Sequence, residues 1–361
     1  MGPNKLLRYL HHAPSPLNVD VRYLLPCISC PGFVAICERH CGFDLQAVRN
    51  ASWDRDLNMD TKATLMSNAP GFWPPAPDLR REDIRFSFRD NDYLGRLIAP
   101  PQSAGPRPLV LVVHNYQGLK FFDVDVAEYL ARVGYVGLAI DVYGNTVPPD
   151  ERVWPDDASK IQAFQKKCFE GLVSMDHDHE LFRALLKEWL DQGLAHPNVD
   201  SSFSPAAIGY CFGGMAVIEC VRGGLNVSAV VSFHGLLQTG EDPNAARFGV
   251  ERPPLKLCEN NYNTDAVILI ENGADDGLVP DESKSRFFQE MDSAGVDWIF
   301  HHHARTPHGF ALPPTLGPPG RLHEVTDRRS TMNMLSLFRE VFPGIPQNPV
   351  ERNAAGTTIP L

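Results

Sequence analysis

The sequence predicts an α/β protein in which a mainly parallel central sheet carries helices on both faces. Short, wholly apolar runs recur along the chain, for example at 109–113 and 229–233. Such runs are typical of parallel strands that are buried on both faces. Segments with helical periodicity separate them, and this alternation indicates strand–helix–strand units rather than an all-β or all-α fold.

The elements follow one another in a regular order. Residues 84–88 and 92–99 alternate in polarity and predict a hairpin, and residues 122–133 form an amphipathic pattern that ends before Gly134, a common helix stop. Residues 150–192 are predicted to be largely helical, with turns. The remaining predicted strands are 109–113, 135–140, 206–209, 229–233, 266–270 and 298–301, and the remaining helices are 212–222, 281–294 and 325–342.

Changes in pattern along the chain predict three regions. Residues 1–80 lack sustained periodicity and include several prolines just before the first strand, so we interpret them as an irregular or poorly ordered extension. Residues 81–346 are predicted to form the α/β domain, and residues 347–361 a C-terminal tail. The length of 361 residues is sufficient for one large domain with such additions.

Four cysteines of the extension have a spacing that resembles a metal site. They are Cys27, Cys30, Cys37 and Cys41. Zinc is often bound by close pairs of cysteines, but the gap between these two pairs is shorter than usual. The alternative is an extension that binds nothing, and the sequence leaves the two open. No metal and no cofactor are predicted for the α/β domain.

The charge of the chain restricts its partners. The formal net charge is −11 and the mean hydropathy is −0.21. An acidic protein is a poor partner for nucleic acid or an anionic membrane surface, since both require a basic face. No apolar run approaches the roughly 18 residues of a membrane span. The cysteines beyond residue 100 are scattered, which favours a reducing, cytoplasmic location. We therefore expect the protein to act on a small molecule and to be either a monomer or a homodimer.

A cysteine lies at a strand-to-helix turn framed by glycines. The run Gly209-Tyr210-Cys211-Phe212-Gly213-Gly214 separates the predicted strand 206–209 from the predicted helix 212–222. This is the pattern of the nucleophile elbow of α/β-hydrolases, in which glycines allow the close backbone approach around a strained central residue. The central residue here is cysteine instead of serine, which predicts a thiol nucleophile.

The acid and the base of such a site follow in the expected order. Asp276 lies on the loop after the strand 266–270, and His308 lies on the loop after the strand 298–301, at the same predicted edge of the sheet. Asp275 competes with Asp276, and the histidines at 301–303 compete with His308. A metal site at those three histidines is not expected, because carboxylates and cysteines with ligand spacing are missing nearby.

Three motifs together resemble the dienelactone hydrolase family. They are Gly-Tyr-Cys-Phe-Gly-Gly at 209–214, Gly-Ala-Asp-Asp-Gly-Leu-Val-Pro at 273–280 and His-Gly-Phe at 308–310, and the resemblance covers residues 84–343. It implies an α/β-hydrolase fold and hydrolysis of an ester or lactone through a thioester. By the resemblance, Cys211 is the nucleophile, Asp276 the acid and His308 the base. The backbone N–H groups of Tyr116 and Phe212 would form the oxyanion hole.

Several positions depart from the family pattern. Asn115 stands where the family has a thiol-activating glutamate, and Asn145 and Leu312 stand where it has arginines that hold a substrate carboxylate. Asn115, Asn145 and His234 are candidate pocket residues. These departures leave the substrate open, so a thioesterase or an esterase for xenobiotics on the same fold remains an alternative. A non-catalytic binding or scaffold protein is a further alternative, although the order of the three residues speaks against it.

Overall fold

The computed structural model describes residues 78–148, 152, 154–155, 157–240, 245–316, 320–348, 350–352 and 358–360. They belong to one compact unit, Ala76–Leu361. Residues 1–77 of the predicted N-terminal extension, with its four cysteines, lie outside the described residues, so the expectations about them stay predictions. Arg80, the last residue of that predicted region, already belongs to a strand. Within the predicted tail, two three-residue strands, Val350–Arg352 and Thr358–Pro360, pair antiparallel.

An eight-stranded sheet forms the centre of the domain. Its spatial order is β1-β2-β4-β3-β5-β6-β7-β8, and every neighbouring pair from β4 to β8 is parallel. Only β2 runs against the others. The strands are β1 (Arg80–Phe88), β2 (Asn91–Ala99), β3 (Leu109–Val113), β4 (Val136–Ile140), β5 (Ala206–Tyr210), β6 (Ala229–Phe233), β7 (Val267–Asp275) and β8 (Asp297–Pro307).

Six α-helices lie between or after these strands in the described part of the chain. The helices are α1 (Phe121–Val133), α2 (Ala158–Asp176), α3 (His179–Leu194), α4 (Phe212–Arg222), α5 (Asp281–Ala294) and α6 (Glu324–Val341). The prediction of an α/β fold with a mainly parallel sheet is confirmed. The four short strands β3 to β6 are buried along their whole length, as their apolar sequences require. None of the helices described is long and apolar enough to span a membrane.

Two strands extend beyond their predicted ends. β7 continues to Asp275 and β8 to Pro307, because their pairing goes on beyond the apolar residues, with Asn272 opposite His302 and Gly273 opposite His303. The added residues are polar, and the carboxylate of Glu271 on β7 accepts hydrogen bonds from His301 and His303 on β8. An apolar pattern could not predict strands held together in this way.

The predicted helical region 150–192 contains two helices separated by a short turn. α2 ends at Asp176, and α3 begins at His179 after Asp178, whose carboxylate accepts the N–H of Leu181 at 3.0 Å. A carboxylate at the N-cap satisfies an N–H group that has no partner within the helix. After this break, α3 packs against the sheet. Its Trp189 is fully buried and donates its indole N–H to the carbonyl of Asp141 at 2.7 Å.

Candidate active site

Cys211 sits at the turn between β5 and α4, at the carboxyl edge of the sheet. Its φ of 56° is in the left-handed region, which a residue other than glycine adopts only when the surrounding structure imposes it. The N–H of Cys211 donates to the carbonyl of Phe233 at 3.0 Å, which ties the turn to β6. The side chain is 6% exposed. A thiol is thus fixed at a helix N-terminus, where the helix dipole favours a negative charge.

The flanking glycines are required by close backbone contacts. A Cβ atom on Gly209 would lie 2.0 Å from the carbonyl oxygen of Gly213, and one on Gly213 would lie 2.1 Å from that of Val113. A Cβ atom on Gly214 would lie 2.5 Å from the Oγ of Ser232. The first two obstacles are backbone atoms, which cannot move aside as a side chain can. The missing side chain of Gly213 allows the start of α4 to touch the end of β3.

Asp276 and His308 meet as the sequence analysis expects. The Nδ1 of His308 lies 2.8 Å from the Oδ2 of Asp276, and both side chains are buried. The other carboxylate oxygen of Asp276 accepts the N–H of Leu278 at 2.9 Å, which fixes its orientation. Asp275, the competing carboxylate, is exposed at the end of β7. The structure therefore pairs His308 with Asp276, while the roles of the two residues stay predictions.

The three competing histidines lie on β8 and have other contacts. His301 and His303 bind the two carboxylate oxygens of Glu271, while His302 is exposed on the other face of the strand. Asn333 on α6 also donates to Glu271, at 2.9 Å. Among the described residues, no group of three or more histidine, cysteine or acidic side chains is arranged to hold a metal ion.

Cys211 and Asp276 both act on the pKa of His308. The Nε2 of His308 is buried and has no hydrogen-bond partner in the part of the chain described here. Burial lowers the pKa of His308, but the charges of Cys211 and Asp276 and the hydrogen bond with Asp276 outweigh burial and raise it to about 10. A histidine held between a carboxylate and a thiolate is stabilised as imidazolium. The charges of Cys211 and Asp276 thus both favour a protonated His308.

The loop that follows β3 is fixed by hydrogen bonds. The side-chain oxygen of Asn115 accepts a hydrogen bond from the N–H of Gln117 at 2.9 Å. The backbone carbonyl of Asn115 accepts a hydrogen bond from the N–H of Gly118 at 3.1 Å. His114 accepts the N–H of Val142 at its Nε2, so its Nδ1 carries the proton and donates to the Asn115 carbonyl at 2.7 Å. Burial lowers the pKa of His114 well below its usual value, which keeps it neutral. The backbone of Tyr116 is therefore held rigidly.

The two predicted oxyanion donors lie on segments that the structure brings into contact. Phe212 is the first residue of α4, so its N–H has no partner inside the helix. Tyr116 belongs to the loop after β3, and the Gly213 contact with β3 joins that loop to the start of α4. The carbonyl of Tyr116 accepts the hydroxyl of Tyr143 at 2.9 Å, which further fixes this loop.

An aromatic wall extends from the loop after β3. We give this name to the stacked rings of Tyr116, Phe169 and Phe248, whose centroids are 4.9 and 4.6 Å apart in that order. They come from the loop after β3, from α2 and from the segment between β6 and β7. The pKa of Tyr116 is raised to about 12, mainly by burial, so its hydroxyl stays neutral.

The candidate pocket residues His234, Asn115 and Asn145 differ in burial: the first two are buried and the third is exposed. His234 is fully buried at the end of β6, with a φ of 43°, and its ring lies 5.1 Å from that of His308. Burial and the charge of His308 lower the pKa of His234 well below its usual value, so it is neutral. Asn115 is buried in the loop described above, whereas Asn145 is exposed on the short helical turn Gly144–Thr146. Its place in the pocket stays a prediction.

The sequence analysis missed Lys120. Its side chain is buried, and its ammonium lies 2.8 Å from the Oδ1 of Asn115. A lysine is rarely buried without a partner. The only signal in the sequence is a single lysine between apolar residues, in Gly118-Leu119-Lys120-Phe121-Phe122, just before a helix. That signal was too weak to interpret without the fold.

Comparisons with known proteins point to one family. The model of the dienelactone hydrolase family matches residues 94–342. An uncharacterised protein of Caenorhabditis elegans is 29% identical over 140 residues, which cover 38% of this chain and 79% of the relative. A candidate carboxymethylenebutenolidase of Escherichia coli is 24% identical over 197 residues, covering 55% of this chain and 65% of the relative.

A solved structure resembles the domain. It is that of a dienelactone hydrolase-like promiscuous phosphotriesterase from metagenomic libraries. The TM-score is 0.57 with 27% identity, and the similarity covers 73% of this chain and 99% of that one.

The coupling between Cys211 and His308 can be measured by NMR. We expect His308 to titrate near pH 10. Burial lowers its pKa, but Cys211 and Asp276 raise the pKa by a larger amount. In Cys211→Ser a hydroxyl replaces the ionisable thiol at almost constant volume, so the pKa of His308 should fall by about one unit or more. The 13C-labelled Cε1 signal of His308 would report the titration. Equal midpoints in both proteins would contradict the coupling.

Proposed function

The chain belongs to the dienelactone hydrolase family, and we propose that it hydrolyses a carboxylic ester or lactone by a thiol mechanism. Cys211 is the nucleophile, His308 the general acid and base, and Asp276 the residue that orients His308. The observation that supports this most directly is the 2.8 Å contact between His308 and Asp276, with Cys211 as the opposing charge on the imidazole. A nucleophile, a base and an orienting acid are the parts that acyl transfer requires.

In the first half of the reaction, the thiolate of Cys211 adds to the carbonyl carbon of the substrate. The carbonyl oxygen becomes an oxyanion, which the N–H groups of Phe212 and Tyr116 stabilise. One such donor is typically worth about 10²–10³ in rate. The intermediate then collapses and the carbon–oxygen bond of the ester breaks. The leaving oxygen takes the proton of the His308 imidazolium, and the acyl group remains on Cys211 as a thioester.

In the second half, neutral His308 removes a proton from water. The resulting hydroxide adds to the thioester carbonyl, and the same two N–H groups hold the oxyanion. The carbon–sulfur bond then breaks, which releases the carboxylic acid and restores the thiolate beside an imidazolium. Asp276 stabilises the imidazolium in both halves through its bond to Nδ1. Neutral His234 packs against His308 without adding a competing charge.

The surroundings of the triad favour an uncharged substrate with an apolar acyl group. Leu312 is apolar and fully buried, and Asn145 is exposed. The guanidinium of Arg152 is buried: its Nη2 donates to the carboxylate of Asp141 at 3.0 Å and its Nε to the carbonyl of Val147 at 2.7 Å, while its Nη1 has no partner among the described residues. The aromatic wall offers rings for an apolar group to pack against. A substrate carboxylate would lose its hydration here without a bidentate arginine to replace it.

Replacement of Cys211 tests the nucleophile. We expect Cys211→Ala to lower kcat for p-nitrophenyl acetate by about 10³-fold or more, because no thioester can form. Cys220→Ala serves as the control, since Cys220 is a buried cysteine on α4 whose thiol contacts the carbonyl of Ala216 and has no role in the proposed reaction. Wild-type turnover in Cys211→Ala would contradict the proposal. A scaffold protein would show neither turnover nor one highly reactive cysteine towards iodoacetamide.

A matched pair of esters tests the substrate class. The p-nitrophenyl esters of hexanoic and adipic acid have the same chain length, but the second carries a terminal carboxylate. We expect kcat/KM to be about tenfold or more higher for the hexanoate, because the carboxylate would be desolvated without a partner. Dienelactone, which is also anionic, should be hydrolysed slowly. A preference for the adipate would show that a cationic side chain does bind the substrate.

A further inference from the structure

His234 lies directly after β6, at the edge of the sheet that carries Cys211 and His308. Its φ of 43° is positive, and its N–H donates to the carbonyl of Glu271 on β7 at 2.9 Å. Four non-glycine residues of the described part have a positive φ, and Cys211 and His234 are two of them. Such strain concentrates at functional sites. Because the carbonyl of the preceding residue, Phe233, accepts the N–H of Cys211 at 3.0 Å, the chain at His234 is bonded to the Cys211 turn.

The imidazole of His234 is fully buried, yet it is not hydrogen-bonded. Neither Nδ1 nor Nε2 has a hydrogen-bond partner among the residues that the structure describes. Buried polar atoms are normally paired, and an exception calls for a role such as binding water or taking part in catalysis. Burial lowers the pKa of His234 well below its usual value, and the charge of His308 lowers it further, against a smaller opposing effect of its own carbonyl. The ring is therefore neutral and keeps one nitrogen as an acceptor, which an imidazolium would not have.

The rings of His234 and His308 are close enough to share one water molecule. Their centroids are 5.1 Å apart and their planes make an angle of 70°. Asp276 binds the Nδ1 of His308, and the Nε2 has no partner in the described part of the chain. A water with two hydrogen bonds of ordinary length joins nitrogens about 4.5 Å apart, a distance that two rings at this separation can provide. Phe310, whose ring packs edge-on against His234 at 5.1 Å, offers no competing hydrogen-bonding group.

We propose that His234 is a catalytic residue of the deacylation step, in which it holds the attacking water while His308 removes a proton from that water. The inference rests on the proposed function in that the acyl group is taken to lie on Cys211. One O–H of the water donates to a ring nitrogen of His234 and stays intact. The other gives its proton to the Nε2 of His308 as the oxygen bonds to the thioester carbon. The carbon–sulfur bond then breaks, which releases the carboxylic acid and the thiolate.

The two halves of the reaction differ in their need for His234. Acylation consumes no water, so it requires His308 as the proton donor but does not require a group that holds water. Deacylation requires both histidines. A ring that merely supported His308 by packing would matter equally in both halves, because His308 acts in both. The ratio of the two rates therefore separates a water-binding role from a packing role.

Single-turnover kinetics with p-nitrophenyl acetate test the role of His234. Release of p-nitrophenol gives the acylation rate, and peptide mass spectrometry after acid quenching follows the decay of acetyl-Cys211. His234→Phe keeps an aromatic ring but removes both nitrogens. We expect its acylation rate to stay within about threefold of wild type and its deacylation rate to fall by about 10- to 100-fold, so that acetyl-Cys211 accumulates. His302→Phe, at an exposed site on β8, is the matched control and should leave both rates unchanged.

Amide variants test whether a hydrogen-bond acceptor is what matters. His234→Asn and His234→Gln place an amide oxygen near the positions of Nδ1 and Nε2, respectively, and asparagine also tolerates a positive φ. At least one of them should deacylate about fivefold or more faster than His234→Phe. If His234→Phe does not fold, His234→Leu takes its place as the apolar variant, matched in size to His234→Asn.

An added nucleophile separates loss of the held water from damage to the acyl-enzyme. Hydroxylamine attacks a thioester without that water, so it should restore turnover in His234→Phe. Acylation and deacylation slowed by the same factor, deacylation at the wild-type rate in His234→Phe, amide variants no faster than the apolar one, or no restoration by hydroxylamine would each overturn the proposal. Failure of the nucleophile assignment would appear separately, as turnover retained in Cys211→Ala.

Discussion

The contact between Gly213 and the carbonyl of Val113 is the constraint on which the site depends. It lets the first turn of α4 lie directly against the end of β3, so that the Cys211 turn and the Tyr116 loop share one edge of the sheet. The hydrogen bond from Cys211 to Phe233 then aligns the turn with β6, and β7 and β8 carry Asp276 and His308 at the same edge. Any side chain at position 213 would separate these segments.

The apolar pattern predicts the centre of the fold better than its functional edge. The runs at 109–113 and 229–233 coincide with β3 and β6, because strands buried on both faces must be apolar throughout. β7 and β8 exceed their predicted lengths, since their last residues pair through polar contacts around Glu271. At the edge where strands meet loops, tertiary contacts rather than the local apolar pattern decide where a strand ends.

Chain order and loop position were sufficient to predict which acid and which histidine meet. The contacts of Asn115 and Lys120 could not be predicted, because they depend on how the loop after β3 folds back onto the start of α1. The charged neighbour of Asn115 is Lys120, five residues further along the chain, and the two side chains meet only once the loop is folded. The same applies to Asn145, whose exposed position follows from a short helical turn that no periodic pattern signals. Motifs thus predict which acid and histidine meet, and the fold determines their electrostatic surroundings.

The central claim is that the acyl group passes through Cys211, and trapping the acyl-enzyme tests it most directly. In His308→Gln the water-activating base is missing, so deacylation should be slow after reaction with p-nitrophenyl acetate. Rapid quenching in acid followed by peptide mass spectrometry should locate one acetyl group on the peptide that contains Cys211. An acetyl group on another residue, or hydrolysis that proceeds with no acetyl group on Cys211, would contradict the account.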